Sequence, residues 1–305
     1  MAALVAGCTQ VRLFPRFFLT PCPAAGPVRE TELTLHLEPV AAQASYDALA
    51  PAAAGLPRRS VARVTYDGRE FPIEHVGPAG TPGGRRLLVV AGVHGNEIAG
   101  SLAAPRILDD VRARPDAYAG VELHVLAPAN PVGLANLSRY NAAGCDVNRD
   151  FGRFRTPEAV AIRTVLTSVA PELVVSLHEG PQDGFYVIAT RRAPVPVARA
   201  MTHAVEAEGI ALATKTFLGV PMAGRGLDHE GRFVTAVKRL IGVGSLGAYA
   251  QVRGIGVLTT ESPWGSTRLD ERIAAQVVAV RAAARALAET PPPEETPPAA
   301  SDRQP

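Results

Sequence analysis

The chain has 305 residues, 47% of them hydrophobic and 20% charged, with a formal net charge of +2 at pH 7. That is enough for a large core in one or two domains. The near-neutral balance, with no run of Lys or Arg, excludes a surface built to hold nucleic acid, and no apolar stretch approaches the roughly 18 residues a spanning helix needs.

In chain order, Leu4-Val5-Ala6-Gly7-Cys8 comes first and resembles a bacterial lipoprotein box. A secretory signal needs a charged start and about 7–15 apolar residues, whereas only seven residues, none charged, precede Cys8. Two readings stay open. A coding region that starts further upstream places the protein in the cell envelope or periplasm, lipid-anchored at Cys8. An accidental match leaves the cytoplasm. With Cys22 and Cys145 the cysteine count is odd and lacks paired spacing, which gives neither a disulfide framework nor a CxxC site. Cys145 is therefore expected to be a packed residue. Residues 1–60 read as an extension lying against the domain: ETELTLHLEP (30–39) as a strand or short helix, AAQASYDALAPAAAGLP (41–57) as loop or weak helix.

Residues 61–77 alternate apolar and polar positions around Asp67-Gly68, a hairpin signal. LLVV (87–90) is a buried strand that ends in the Gly92–Gly95 turn and opens a helix over 97–113, which Pro105 should kink. ELHVLAPANP (122–131) is a strand. Thr156-Pro157-Glu158 starts a helix with Thr as N-cap, Pro at the first position and an acid near the positive end. ELVVSLHEG (172–180) and FYVIAT (185–190) are strands, a helix runs to about 208, and 218–236 is a Gly-rich loop. GIGVLTTES (254–262) is a strand, and Thr267 to Asp270 fits a capping box for the last helix, to about 289. A Pro-rich tail (290–305) reads as disordered. The predicted architecture is α/β, a single α/β/α sandwich with a central mixed β-sheet over residues 61–289. Gly242 to Gly247 fits GxGxxG, but the helix after it is too short for a dinucleotide-binding crossover.

The polar residues His94, Asn130, His178 and Glu261 all fall where strands end, at the sheet edge where open α/β sheets bind ligands. His94 and Glu97, three apart across a loop-to-helix bend, can converge on one point. For His178 alone, a hydrogen-bonded core histidine is the commoner case. Two His and a Glu together suit a catalytic zinc that keeps a fourth position open. Arg139 to Phe151 brings cations and amides close together, and a guanidinium grips a carboxylate with a forked pair of bonds. Asp146 could equally tie that loop together.

HGNE (94–97 with its Gly and Asn), the NP at 130–131, RxNxxGxDxNRxF (139–151), LHE (177–179) and TTES (259–262), in that order, resemble the zinc carboxypeptidase superfamily. The spacing from Arg139 to Asn148 and Arg149 most resembles the short murein tripeptide amidases. The resemblance covers about residues 85–265. It implies one Zn2+ per chain on His94, Glu97 and His178, Glu261 as general base, Arg139 polarising the scissile carbonyl, and Asn148 with Arg149 holding a terminal carboxylate. The implied activity is hydrolysis of a peptide or γ-glutamyl amide bond beside a C-terminal carboxylate. The implied partner is a small peptide or acyl-amino acid, with cell-wall peptides as the candidate substrate. A deacylase of the succinylglutamate desuccinylase/aspartoacylase type shares HxxE, NR, His and Glu and is the alternative. A binding protein that keeps the site without turnover is the other. Three features depart from the pattern. Asp150 stands where Asn is usual, Glu179 follows the second His where a small residue is common, and no tyrosine matches the mobile one of classical carboxypeptidases, Tyr249 lying too close to Glu261.

Overall fold

The computed structural model describes residues 21–28, 40–216, 219–222, 224–229, 244–264 and 268–291. The expectations for Cys8, for 30–39, for 230–236 of the Gly-rich loop, for Thr267 and for the tail beyond 291 lie outside these residues.

The stretch expected to be loop or weak helix forms α1 (Val40–Ala52), with Leu49 and Ala52 buried in the main core. Strands β1 (Arg58–Tyr66) and β2 (Arg69–Gly80) pair antiparallel. Asp67 and Gly68 between them have φ of 47° and 68°, the double left-handed turn whose twist matches a hairpin. Strand β3 (Arg85–Ala91) follows, with Leu87 to Ala91 all fully buried. Each Leu or Val there contributes on the order of 1.5–3 kcal/mol.

Helix α2 (Ile98–Ala113) continues through Pro105. Pro105 has no N–H for the Ser101 carbonyl one turn back. The Ser45 hydroxyl of α1 donates to that carbonyl instead, at 2.9 Å. Next come β4 (Val121–Ala127), the short α3 (Pro131–Ala135) and α4 (Pro157–Val169). Helix α4 begins as expected, with the Thr156 hydroxyl accepting Ala159 N–H at 3.3 Å. Then follow β5 (Leu173–Gly180), β6 (Tyr186–Ala189), α5 (Val195–Ala207), the three-residue β7 (Leu227–His229), α6 (Leu246–Gln251), β8 (Gly256–Pro263) and α7 (Leu269–Glu289). The N-cap of α7 is Arg268, without a side-chain capping bond.

Among the described residues the sheet has eight strands in the order β1-β2-β4-β3-β5-β8-β6-β7. The four central strands run parallel, β2 pairs antiparallel with both β1 and β4, and β6 pairs antiparallel with β8 but parallel with β7. Strand alternation sends Leu87, Val89, Leu173, Val175 and Leu177 into one core with α1, α2, α5 and α7. Leu88, Val90, Val174 and Val257 enter the other with α4 and α6. The result is a mixed α/β sandwich.

Cys145 is not merely packed: it forms a disulfide with Cys22. Residues 21–24 lie along the 144–146 loop, with Asp146 N–H donating to the Pro21 carbonyl at 2.7 Å and Ala24 N–H to the Gly144 carbonyl at 3.3 Å. A Cβ on Gly144 would sit 2.0 Å from the Ala24 carbonyl oxygen, so only glycine allows the approach. No local motif joins two cysteines 123 residues apart. The pairing is made by where the N-terminal segment runs. Closing a loop of that length contributes about 5 kcal/mol in a chain-entropy account.

Candidate metal centre and substrate site

His178 of β5 and Glu261 of β8 are direct neighbours in register. Ala91, the last residue of β3, pairs with Leu177, so the turn carrying His94 leaves the sheet beside His178. That turn needs Gly95, where a Cβ would fall 1.9 Å from the backbone of Gly133 at the start of α3. Glu97 then stands at the N-cap of α2.

The three side chains converge. Glu97 places one oxygen 2.6 Å from His94 Nδ1 and the other 2.7 Å from His178 Nδ1, and the two Nδ1 atoms are 3.2 Å apart. All three residues are buried. Donors around a tetrahedral zinc at about 2.0–2.1 Å stand roughly 3.3 Å from one another, so a small outward adjustment suits the set to a metal ion. Arg139 Nη1 is drawn to the same point, 3.2 Å from His94 Nδ1 and 3.3 Å from Glu97 Oε1.

The far side of each imidazole is held. His94 Nε2 lies 3.2 Å from Asp146 Oδ1, and His178 Nε2 lies 3.0 Å from Ser176 Oγ. Such partners fix ring orientation and tautomer at metal sites. Sequence named Asp146 only as a loop tie and did not single out Ser176. Strand alternation was the available signal for Ser176, two residues before His178. Burial pushes the Glu97 carboxyl up, but the two imidazoles beside it outweigh burial and hold it well below the usual carboxylate range. Burial lowers His178, and Glu97 more than reverses this. Asp146 stays ionised well below its ordinary range, the guanidinium of Arg139 chief among the groups that overcome its burial.

The loop from 139 to 150 closes over this centre. Arg139 donates to Asp146 through Nε at 3.0 Å and Nη2 at 2.9 Å. Asp146 also accepts Asn148 N–H at 2.9 Å. Arg149, buried, donates to the Asn148 carbonyl at 2.9 Å. Asn148 Oδ1 accepts Leu246 N–H from α6 at 2.9 Å, so its NH2 is the end left to offer a substrate carboxylate. Glu261 is half-buried, and burial, only partly opposed by His178, pushes its carboxyl up to about 8. Gln182, the position at which an HExxH motif would require a second His, donates to the Glu261 backbone carbonyl at 3.1 Å. The structure thus brings the metal-ligand candidates, Glu261 and Arg139 together, with Asn148 and Arg149 on the adjoining loop.

The departures acquire reasons. Asp150 accepts both Thr156 N–H (2.7 Å) and its hydroxyl (2.9 Å), and so anchors the start of α4. Tyr249 packs on Phe151 and Phe154 with Arg253 over its ring. Glu179 points to the opposite face of the sheet and pairs with Arg272 of α7.

Residues 83–164, which carry His94, Glu97, Arg139, Asn148 and Arg149, match the family model for the succinylglutamate desuccinylase/aspartoacylase catalytic domain. In that stretch the chain is similar to this family, and further likenesses are to carboxypeptidases and metallo-carboxypeptidases. The fold is similar to that of solved metallopeptidases. A protein named as a metallopeptidase from Shewanella amazonensis superposes with a TM-score of 0.64 at 22% identity, covering 85% of this chain and 97% of that one. The metallo-carboxypeptidase of Pseudomonas aeruginosa, in complex with (2-guanidinoethylmercapto)succinic acid, gives 0.54 at 17% identity, covering 78% and 67%. Carboxypeptidase 2 of Trichophyton rubrum is 29% identical over 140 residues, 40% of this chain and 26% of its own length. The match thus spans about a quarter of that curated relative.

Proposed function

We propose that the protein is a zinc-dependent hydrolase that cleaves a peptide or γ-glutamyl amide bond beside a C-terminal carboxylate. The observation that carries this is the convergence of His94, Glu97 and His178 on one point with Glu261 beside them. A zinc ion held by those three residues would polarise the scissile carbonyl and lower the pKa of an attacking water. Glu261 takes the proton of that water and delivers it to the leaving amine. Arg139, held by Asp146, presents Nη1 toward the developing oxyanion. Asn148 and Arg149 grip the free carboxylate of the leaving residue, a class of group that the succinic acid derivative in the Pseudomonas aeruginosa complex also carries.

His94→Ala and His178→Ala should each weaken zinc binding by at least about 100-fold, since removing a ligand must exceed the 10- to 100-fold cost of losing an outer partner. Elemental analysis and chelator competition read this, and full zinc content in both variants would refute the ligand assignment.

The match to the desuccinylase/aspartoacylase domain favours a second reading, hydrolysis of an N-acyl-amino acid. A panel of γ-D-glutamyl-diaminopimelate peptides, ordinary C-terminal peptides, N-acetyl-aspartate and N-succinyl-glutamate separates the two. Turnover of the peptides is expected, with the murein-type peptides preferred. Turnover of the acyl-amino acids alone would replace the peptidase by the deacylase.

For the compartment, the Cys22–Cys145 disulfide supports the cell envelope, because such bonds persist in oxidising surroundings. None of the described helices is long and apolar enough to cross a membrane. In protein taken from its native host and alkylated before reduction, Cys22 and Cys145 should remain unlabelled. Labelling of both would return the protein to a reducing compartment.

A further inference from the structure

We infer that Glu179 is a positioning residue for Glu97, performing the helix capping that Glu97 gives up by facing the metal centre. An N-cap side chain ordinarily accepts an N–H from the first turn of its own helix. Glu97 occupies the N-cap of α2 but makes no capping bond. Its two oxygens are turned to His94, His178 and Arg139. The orphaned N–H of Ala99 in the first turn is taken by Glu179 Oε2, at 2.7 Å, from β5. The exchange is reciprocal, since Glu179 N–H donates to Glu97 Oε2 at 3.2 Å. The segment carrying His94 and Glu97 and the strand carrying His178 are therefore fastened to each other by two bonds.

Helix α7 completes the arrangement. Arg272 donates to Glu179 Oε1 at 2.7 Å, with both side chains buried. One turn on, Gln276 Nε2 donates to the His178 carbonyl at 2.9 Å. A buried ion pair is a poor way to gain stability, and apolar residues of like volume commonly serve packing as well or better. A carboxylate at 179 makes sense when its second oxygen has work on α2, and Arg272 holds the first oxygen in place. This accounts for an acid at a position where a small residue is usual, and it predicts that the ligand carboxylate is aimed before any metal arrives.

The inference rests on the metal reading above, and zinc affinity of the purified full chain, measured by competition with a chelating dye, tests it. The Glu179→Gln/Arg272→Gln variant keeps an acceptor for Ala99 N–H and should bind zinc within about threefold of the original chain. The Glu179→Leu/Arg272→Met variant fills the space without an acceptor and should bind at least tenfold more weakly, in the range that outer partners of metal ligands command. Equal affinity in the two variants, whatever their Tm, would show Glu179 to be structural only and overturn the inference. A second measurement needs no variant: hydrogen exchange of the Ala99 amide in metal-free protein. Protection equal to that of the zinc-loaded protein is expected, and protection gained only on zinc binding overturns the inference as well. If the unaltered chain takes up no zinc, the metal reading itself fails, an outcome distinct from equal binding by the two variants.

Discussion

Glu261→Gln should lower kcat by about a thousandfold or more while leaving zinc content and Tm nearly unchanged. The two side chains are close in shape, and the bond that ties this residue to Gln182 is made through the Glu261 backbone carbonyl, which the substitution keeps. What is lost is the proton acceptor, and positioned general acid–base groups contribute on the order of 10²–10⁴ to rate. The pH profile gives a sharper check. Burial pushes the Glu261 carboxyl up to about 8, and a cation bound nearby would pull it down again. A base must be unprotonated to act, so kcat/KM should rise tenfold per pH unit below the pKa of Glu261 and level off above it. Glu261→Gln should lose that limb. A variant that retains both rate and profile would show that this carboxylate is structural.

Much of the site was legible because its residues follow strong local signals. Four apolar residues and a glycine turn placed His94 at a sheet edge, and VVSL and VLTT did the same for His178 and Glu261. The hairpin at Asp67-Gly68 and the start of α4 at Thr156 follow from turn and cap chemistry alone. What was not legible depends on tertiary contacts. The Ser101 carbonyl, left without a donor by Pro105, takes one from Ser45, 56 residues before it. Cys145 finds Cys22 because a distant segment runs along its loop. Strand β7 is three residues long and takes its place by pairing with β6, so periodicity has almost nothing to register. Asp146 was legible only in part: it was read as a tie for its loop, and it does pair with Arg139, but its carboxylate also holds His94.

Blocking the substrate's C-terminal carboxylate as an amide should reduce kcat/KM by roughly 3 kcal/mol, on the order of 100-fold, and Arg149→Ala should abolish the difference between free and blocked substrates. Arg149 is buried, yet a guanidinium remains charged at neutral pH, so its cost of desolvation is carried into every substrate complex. Burial does push its pKa down, with Asp146 opposing. A free carboxylate meets that cation with charge-assisted, forked hydrogen bonds. An amide offers no charge and replaces one acceptor oxygen by a donor, so the forked charge-assisted pair is lost. With alanine at 149 both substrates lose the same partner and should be cleaved at similar, low efficiency, while Asn148 keeps its bond to Leu246 and α6 stays in place. The effect should fall mainly on KM, because the carboxylate lies away from the scissile bond and is held equally before and during the reaction. If Arg149→Ala still prefers the free acid by two orders of magnitude, another group holds the carboxylate and Arg149 serves only the loop.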